Sequence, residues 1–182
     1  LWILWFICSL ATASSMGQTA KYSNEFLSIG VGAKSLGMAN STIAHLSDVS
    51  SGYWNPAGMM HMEKDFEIGA MHAEYFAGIA KYDYLGGVMA IDTSQRIGAS
   101  IIRFGVDNIP NTTELIDNEG NIDYDRISYF SAADYAFLIS YAKKIPVKGL
   151  SIGGNAKIIY RNVGQFANAY GFGIDVSARY DR

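Results

Sequence analysis

The chain has 182 residues, of which 49% are apolar and 17% charged, so it can bury one sizeable core and is neither disordered nor a string of small domains. Its formal charge is −3, and its basic residues are scattered singly apart from Lys143 and Lys144, which argues against a nucleic-acid-binding surface. The 19 glycines, 12 tyrosines and 13% aromatic content are typical of an all-β protein.

The chain begins with an apolar stretch, LWILWFICSLATASS, that has the features of an export signal. It is too short to cross a bilayer as a helix. We therefore predict a signal peptide over residues 1–17, cleaved after Gly17, and a truncated start, because the initiator Met and the basic region are missing. The one cysteine, Cys8, lies inside this signal and lacks the small preceding residue of a lipoprotein signal. The mature chain needs no disulfide.

Residues 18–64 follow neither a strand nor a helical period throughout and are predicted to form an amino-terminal hatch segment. SDVSSGYW can begin a short helix with Ser47 or Asp48 as its N-cap. In NPAG, Asn55 suits the N-cap position and Pro56 the first helical position. A compact segment ahead of a barrel fits inside the barrel lumen, whereas the alternative is a capped surface loop. The residues alone favour neither interpretation.

Apolar and polar residues alternate repeatedly over residues 65–182, which predicts about six antiparallel strands. The stretches are DFEIGAMH, AKYDYLGGVMAI, RIGASIIRFGV, AADYAFLISYAKK, GLSIGGNAKIIYRN and AYGFGIDVSARYD. They are long enough to cross a bilayer at a tilt, and the last carries aromatic residues at both ends. The expected fold is all-β: the amino-terminal part of an antiparallel transmembrane β-barrel, preceded by a short helical or irregular hatch.

The charged residues predict which face of each strand points away from lipid. An arginine facing lipid at mid-membrane costs about 2–4 kcal/mol, so Arg103 is predicted to face the lumen, with Ile102 and Phe104 outward. The same reasoning predicts that Tyr82 and Tyr84 face outward. The predicted lumen-facing polar residues are Lys81, Asp83, Arg103, Asp134, Lys157, Arg161, Asp175 and Arg179.

The predicted connections alternate in length. Short links at DTSQ and IPVKG contrast with longer excursions at DNIPNTTELIDNEGNIDYDRISYFS and NVGQFAN. Outer-membrane barrels have this asymmetry, and a secreted β-sandwich is the alternative. The smallest single-chain barrels have about eight strands. We therefore expect either that this chain is the front part of a longer one or that it assembles with others, and the missing start and the end at Arg182 favour truncation.

The stretch IGVGAKSLGMANSTIAHLSDVSSGYWNPAGM resembles the amino-terminal signature of the PorV/PorQ family of outer-membrane proteins, a branch of the FadL-like barrels. YGFGIDVSARY also resembles a recurrent strand of that family. Two departures are that Ala39 and Asn40 stand where the family often has a second glycine after LGM, and that family members are commonly much longer. The hatch-motif residues named by this resemblance are Leu36, Gly37, Met38, Asp48, Tyr53, Trp54, Asn55, Pro56, Ala57 and Gly58.

The resemblance implies two functions, between which the sequence does not choose. PorV-like members serve type IX secretion, in which the barrel associates with the translocon and receives exported cargo. FadL-like barrels pass hydrophobic small molecules through the outer membrane. We expect a bacterial outer-membrane location, outer-membrane lipid as a partner, and translocon components, cargo or hydrophobic small molecules as further partners. Leu85, Met89 and Leu138, on the predicted lumen side, do not decide between the two.

Catalytic and metal-binding patterns are weak in this sequence. His45, His61 and His72 are far apart and lack ligand-like neighbours. HLSDVSS offers a capped turn rather than a nucleophile elbow. DNEGNIDYD is acidic enough to suggest weak calcium binding but lacks the ligand order of an EF-hand loop. We expect neither an enzyme nor a cofactor or metal site.

Overall fold

The structure, a computed structural model, describes residues 24–116 and 119–181. The predicted signal peptide, residues 1–17, lies outside the described residues. Within the described residues, six strands form one antiparallel sheet in the order β1-β2-β3-β4-β5-β6. The strands are β1 Phe66–Tyr75, β2 Ala80–Asp92, β3 Gln95–Asn111, β4 Ser128–Lys144, β5 Leu150–Val163 and β6 Ala167–Tyr180. The predicted all-β class is confirmed.

The sheet is a meander in which each strand pairs with its neighbours in the chain. In the described part of the chain, β1 and β6 pair on one side only, so the sheet has two edges and is not closed into a barrel. None of the helical turns within residues 24–116 and 119–181 has the length and apolar character that a membrane-spanning helix needs.

The connections differ in part from those predicted. At one end of the sheet the links are residues 93–94 and 145–149, and at the other they are residues 76–79, 112–127 and 164–166. The predicted long excursion at NVGQFAN is wrong, because β5 continues to Val163 and β6 begins at Ala167. Gly164 adopts a φ of 51°, a left-handed conformation that glycine accepts readily and that allows this tight turn. Residues 112–127 are thus the one long link between these strands.

The two faces of the sheet have different surroundings. We call the side that packs against residues 24–64 the covered face, and the opposite side the open face. On the covered face, Tyr82 and Ile102 are fully buried. On the open face of β6, Ile174 and Val176 are 83% and 88% exposed. Residues paired across antiparallel strands share a face, so the register assigns each strand residue to one side.

The register also aligns the open-face residues in rows that run across all six strands. Three adjacent rows contain no charged residue, and we call them the charge-free band. Its rows are Ala70, Leu85, Ile101, Phe137, Ile158 and Phe172; Ile68, Gly87, Ala99, Ile139, Ala156 and Ile174; and Phe66, Met89, Ile97, Tyr141, Gly154 and Val176. The next row, towards residues 112–127, is the polar row: His72, Asp83, Arg103, Tyr135, Tyr160 and Tyr170.

The predicted facing of β2 and β3 is wrong. Lys81, Asp83 and Arg103 lie on the open face, whereas Tyr82 and Ile102, predicted to face outward, lie on the covered face. The reason is that the large apolar side chains of the covered face form one core with residues of the hatch segment. Lys81 and Asp83 lie near the first end of β2, and Arg103 pairs with Asp83, so all three residues lie outside the charge-free band.

The other five predicted polar residues share the covered face. Along β4, β5 and β6 they alternate with the exposed apolar residues of the open face; they are Asp134, Lys157, Arg161, Asp175 and Arg179. Charge therefore predicts the facing of these three strands in agreement with the register, while it fails for β2 and β3.

Two neighbouring isoleucines of β3 test the corrected facing. We expect Ile102→Ala to lower the free energy of unfolding by about 2–5 kcal/mol, because it leaves a cavity in the core. Ile101→Ala, on the open face, should cost about 1 kcal/mol or less, since no core cavity forms. Urea unfolding of both variants in detergent measures the difference, and equal losses would contradict the assignment of faces.

Candidate functional site: the hatch segment on the covered face

The hatch segment, residues 24–64 of the described chain, is built from short helical turns joined by irregular backbone. The turns are Glu25–Ser28, Ala33–Gly37, Ser51–Trp54 and Pro56–His61. Local backbone hydrogen bonds close these turns, for example from the Leu36 N–H to the Gly32 carbonyl at 3.0 Å and from the Trp54 N–H to the Ser50 carbonyl at 3.1 Å.

The NPAG turn forms as its sequence predicts. Asn55 has an extended backbone, and its side-chain oxygen accepts a hydrogen bond from the Ala57 N–H at 3.1 Å. Pro56 occupies the first helical position, where its missing N–H has no cost.

The predicted cap of the preceding helix is wrong: Ser50 is the N-cap residue, and Asp48 instead accepts a hydrogen bond from the Ser50 N–H at 2.8 Å.

Hydrogen bonds join the NPAG turn to β5 and β6. The Ala57 N–H also donates to Ser177 Oγ at 3.1 Å, and Ser151 Oγ donates to the Ala57 carbonyl at 3.0 Å. Asn55 Nδ2 donates to the carbonyl of Ile43 within the hatch segment at 3.1 Å. These contacts satisfy both backbone groups of Ala57, which is fully buried.

Glycine is required where the NPAG turn meets the sheet. A Cβ at Gly153 would lie 2.5 Å from the Ala57 nitrogen and 2.7 Å from the Pro56 carbonyl carbon. A Cβ at Gly58 would lie 2.8 Å from the Leu46 carbonyl oxygen. Both positions allow backbone segments to approach more closely than a side chain would permit. Gly58 therefore serves packing within the hatch segment.

The contacts of the hatch segment with β1–β4 are mainly apolar. Phe26 and Val31 belong to the buried cluster that contains Tyr82 and Ile102. A second buried cluster joins Val49, Met59, Met60 and Met62 of the hatch segment to Val88 and Ala142 of the sheet. Polar contacts add to this interface, because Ser140 Oγ of β4 donates to the Gly52 carbonyl at 3.1 Å and Arg96 of β3 donates to the Met62 carbonyl at 2.9 Å.

Tyr53 and Trp54 connect the later part of the hatch segment to its first residues. Tyr53 Oη donates a hydrogen bond to the Leu27 carbonyl, and Trp54 Nε1 donates to the Val31 carbonyl at 2.9 Å. Their rings meet edge to face, with centroids 5.0 Å apart. Burial raises the pKa of Tyr53 to about 12, so its hydroxyl stays a neutral donor at physiological pH.

The LGM part of the motif lies away from the sheet. Leu36 is half-buried, and Gly37 and Met38 are exposed. Ala39 and Asn40, which follow, have φ values of 51° and 63°. Glycine adopts this left-handed region freely, whereas alanine is strained there by about 1–2 kcal/mol. The departure from the resembled signature therefore falls where the backbone favours glycine.

Basic side chains bind hatch carbonyls near the end of the sheet that carries the short links. Arg179 Nη1 donates to the Leu46 carbonyl at 2.5 Å, and Arg96 Nη2 donates to the Met62 carbonyl at 2.9 Å. His61 lies 3.2 Å from Ser151 Oγ. Burial and, secondarily, the charge of Arg179 lower the pKa of His61, so the neutral ring is favoured.

The remaining predicted polar residues pair with one another on the covered face. Arg161 Nε lies 2.5 Å from Asp134 Oδ1, and Lys157 Nζ lies 2.6 Å from Asp175 Oδ2. Asn155 Nδ2 donates to the same Asp175 oxygen at 3.1 Å. Charges of opposite sign are therefore paired on this face, although the four side chains remain partly exposed.

Sequence reasoning missed several residues that hold the hatch segment. They are Arg96, Ser151, Gly153 and Ser177. The available signal was the small size of residues at alternate positions of β5 and β6, since small side chains on one face of a strand leave room for a close neighbour.

Comparison with known proteins adds no assignment to these observations. No protein-family model matches the chain, and no curated protein matches it. Within residues 24–116 and 119–181, no group of three or more His, Cys, Asp or Glu side chains is placed to hold a metal ion. Part of the acidic stretch DNEGNIDYD, residues 117–118, lies outside the described residues.

Two glycines on the covered face test the close contact with the NPAG turn. We expect Gly153→Ala to lower the free energy of unfolding by about 1–3 kcal/mol and to expose the hatch segment to protease, because the added Cβ displaces Ala57. Gly173→Ala is the control, since its Cβ would meet Lys157 only at an ordinary 3.7 Å. Denaturant unfolding and limited proteolysis in detergent give the two readouts. Equal behaviour of the variants would contradict this role of Gly153.

Proposed function

We propose that this chain supplies the hatch and part of the wall of a bacterial outer-membrane β-barrel of the PorV/PorQ type, and that it serves type IX secretion. The observation that carries the membrane assignment is the charge-free band, whose residues are exposed although many are large and apolar. Phe172, Ile174 and Val176 of β6 are 80%, 83% and 88% exposed. An apolar surface of this extent needs an apolar solvent or a covering partner.

The height of the charge-free band supports a lipid environment. Along β4 the band lies between Tyr135 of the polar row and Lys143, whose separation corresponds to about 27 Å of extended strand. At the tilt of about 35–45° found in membrane barrels, this corresponds to a height of about 20 Å. The apolar band of outer-membrane barrels is about 25 Å tall, so the two are comparable.

The polar row supports the same interpretation. Tyr135, Tyr160 and Tyr170 are neighbours across β4, β5 and β6, with ring centroids 6.2 Å and 4.9 Å apart. Aromatic residues collect where a membrane protein passes from hydrocarbon to headgroups. On the neighbouring strands the row continues with Asp83 and Arg103, whose charges suit the headgroup region.

The edges of the sheet require further strands in this setting. An unpaired strand edge in hydrocarbon leaves several backbone groups without partners, at several kcal/mol each. We therefore infer that β1 and β6 pair with additional strands, either of the same polypeptide or of other copies. On closure the covered face becomes the lumen wall, and the hatch segment occupies the lumen.

The secretion role rests on the resemblance of the hatch motif. Asn55 caps the NPAG turn, which packs closely against Gly153. Ala39 and Asn40 have positive φ values at the place where the resembled signature often has glycine. Small-molecule transport is less supported, because Leu85 and Met89, expected on the lumen side, lie on the open face. A secreted β-sandwich would require a second sheet over the open face, and the described residues provide none.

Two arginine substitutions on the open face of β6 test the membrane assignment. Ile174→Arg lies in the middle row of the charge-free band and should cost about 2–4 kcal/mol of insertion free energy, whereas Asn168→Arg, on the same strand and face but beyond the polar row, should cost about 0–1 kcal/mol. Flotation with lipid vesicles measures insertion. Wild-type protein that stays in solution without detergent would refute the membrane assignment.

Deletion of the protein in its native bacterium tests the secretion role. We expect cargo with carboxy-terminal secretion signals to accumulate in the periplasm, because the barrel that receives it is absent. Ser177→Ala, which removes one hydrogen bond to the NPAG turn, should restore secretion more fully than Gly153→Ala, since it adds no steric clash. Secretion is measured as cargo in the culture medium. Normal secretion after deletion would contradict the secretion role but would not affect the membrane assignment.

A further inference from the structure

The link between β4 and β5 encloses a pocket with the end of the hatch segment, at the end of the sheet that carries the short links. We call it the link pocket. Its volume is about 480 Å³, within the range of about 300–1,000 Å³ that is typical of ligand sites. It is lined by residues 144–151 and His61, which include two lysines and four apolar residues: Lys144, Lys148, Ile145, Pro146, Val147 and Leu150. None of the described lining residues is an aspartate or glutamate.

Backbone hydrogen bonds hold the wall of the link pocket in place. The Ile145 N–H donates to the Leu150 carbonyl at 3.2 Å, and the Leu150 N–H donates to the Val147 carbonyl at 3.1 Å. The Asp181 N–H donates to the Gly149 carbonyl at 2.8 Å. Gly149 has a φ of 79°, which favours glycine. A ligand would therefore meet a preformed wall, which lowers the entropic cost of binding.

The two lysines of the link pocket are not neutralised by the chain itself. Within the described residues, neither Lys144 nor Lys148 forms an ion pair. The neighbouring carboxylate of Asp181 already lies 2.7 Å from His61 Nδ1 and 3.2 Å from Arg179 Nε. Two cations beside an apolar wall suit a ligand that joins a negative charge to an apolar group.

Ser151, His61 and Asp181 lie in the order of a hydrolase triad, but their contacts argue against catalysis. His61 Nε2 lies 3.2 Å from Ser151 Oγ, and His61 Nδ1 lies 2.7 Å from Asp181 Oδ2. Ser151 is only 1% exposed, and its hydroxyl donates to the Ala57 carbonyl at 3.0 Å. A buried hydroxyl in this contact does not reach a substrate. The lysines, which are exposed, are the groups that a ligand can reach.

We propose that the link pocket binds an acidic peptide segment of a partner protein, with a carboxylate side chain at Lys144 and Lys148 and a neighbouring apolar side chain against Pro146 and Val147. Val147 is 54% exposed, so a bound apolar side chain would cover it. Short links face the periplasm in outer-membrane barrels, which makes the partner a periplasmic protein. That location rests on the proposed function, whereas the charge and shape of the link pocket do not.

Isothermal titration calorimetry of the detergent-purified protein tests the ligand chemistry. The probe is a hexapeptide with blocked ends and a central aspartate followed by leucine. We expect it to bind at least tenfold more tightly than the same peptide with asparagine, because only the carboxylate attracts the lysines. Equal affinity for the two peptides would overturn the proposal. Displacement of the aspartate peptide by an equal concentration of inorganic phosphate would also overturn it, since the site would then take any anion.

Three lysine variants locate the peptide. Lys144→Gln and Lys148→Gln should each weaken binding at least fivefold, whereas Lys143→Gln should change it less than twofold. Lys143 is the matched control because it carries the same charge next to Lys144 but lies on the open face and does not line the link pocket. Equal effects of the three variants would refute the site. A protein that floats with vesicles but binds no peptide refutes the site alone, whereas a protein that does not float refutes the periplasmic location.

Discussion

The apolar contact between the hatch segment and the covered face is the interaction on which the rest of the structure depends. Side chains alternate between the faces of a strand, so burial of Tyr82 and Ile102 against Phe26 and Val31 assigns every other residue of β2 and β3. Cross-strand pairing then extends this assignment over the whole sheet, because a slip by one residue would reverse it. The exposed charge-free band is the consequence on the other side.

The interface of the hatch segment combines two kinds of contact with different physical properties. Methionines and aromatic side chains provide non-directional apolar burial against β1–β4. Against β5 and β6, the hydrogen bonds of Ala57 with Ser151 and Ser177 require a defined position, and Gly153 permits the close approach. Apolar burial does not depend on direction, whereas these hydrogen bonds fix the orientation of the NPAG turn.

The open face changes in polarity along the direction of its strands. The charge-free band and the polar row follow from one register, in which residues of similar polarity align across strands. Asp83 and Arg103 lie on this face at the border of the charge-free band, where they pair with each other. A barrel of the proposed kind needs this graded surface on one side and a watery, charge-matched surface on the other.

The sequence by itself determined the six strands, the capped NPAG turn and the facing of β4, β5 and β6, because unbroken alternation and a local capping pattern need no distant partner. Only the tertiary structure decided the facing of β2 and β3. Both sides of β2 carry apolar residues, such as Tyr84 and Leu85, and its charged residues lie near its two ends. Local polarity is therefore ambiguous until the hatch segment selects the buried side. The close contact at Gly153 likewise depends on residues far apart in the chain, whose approach no local pattern reveals.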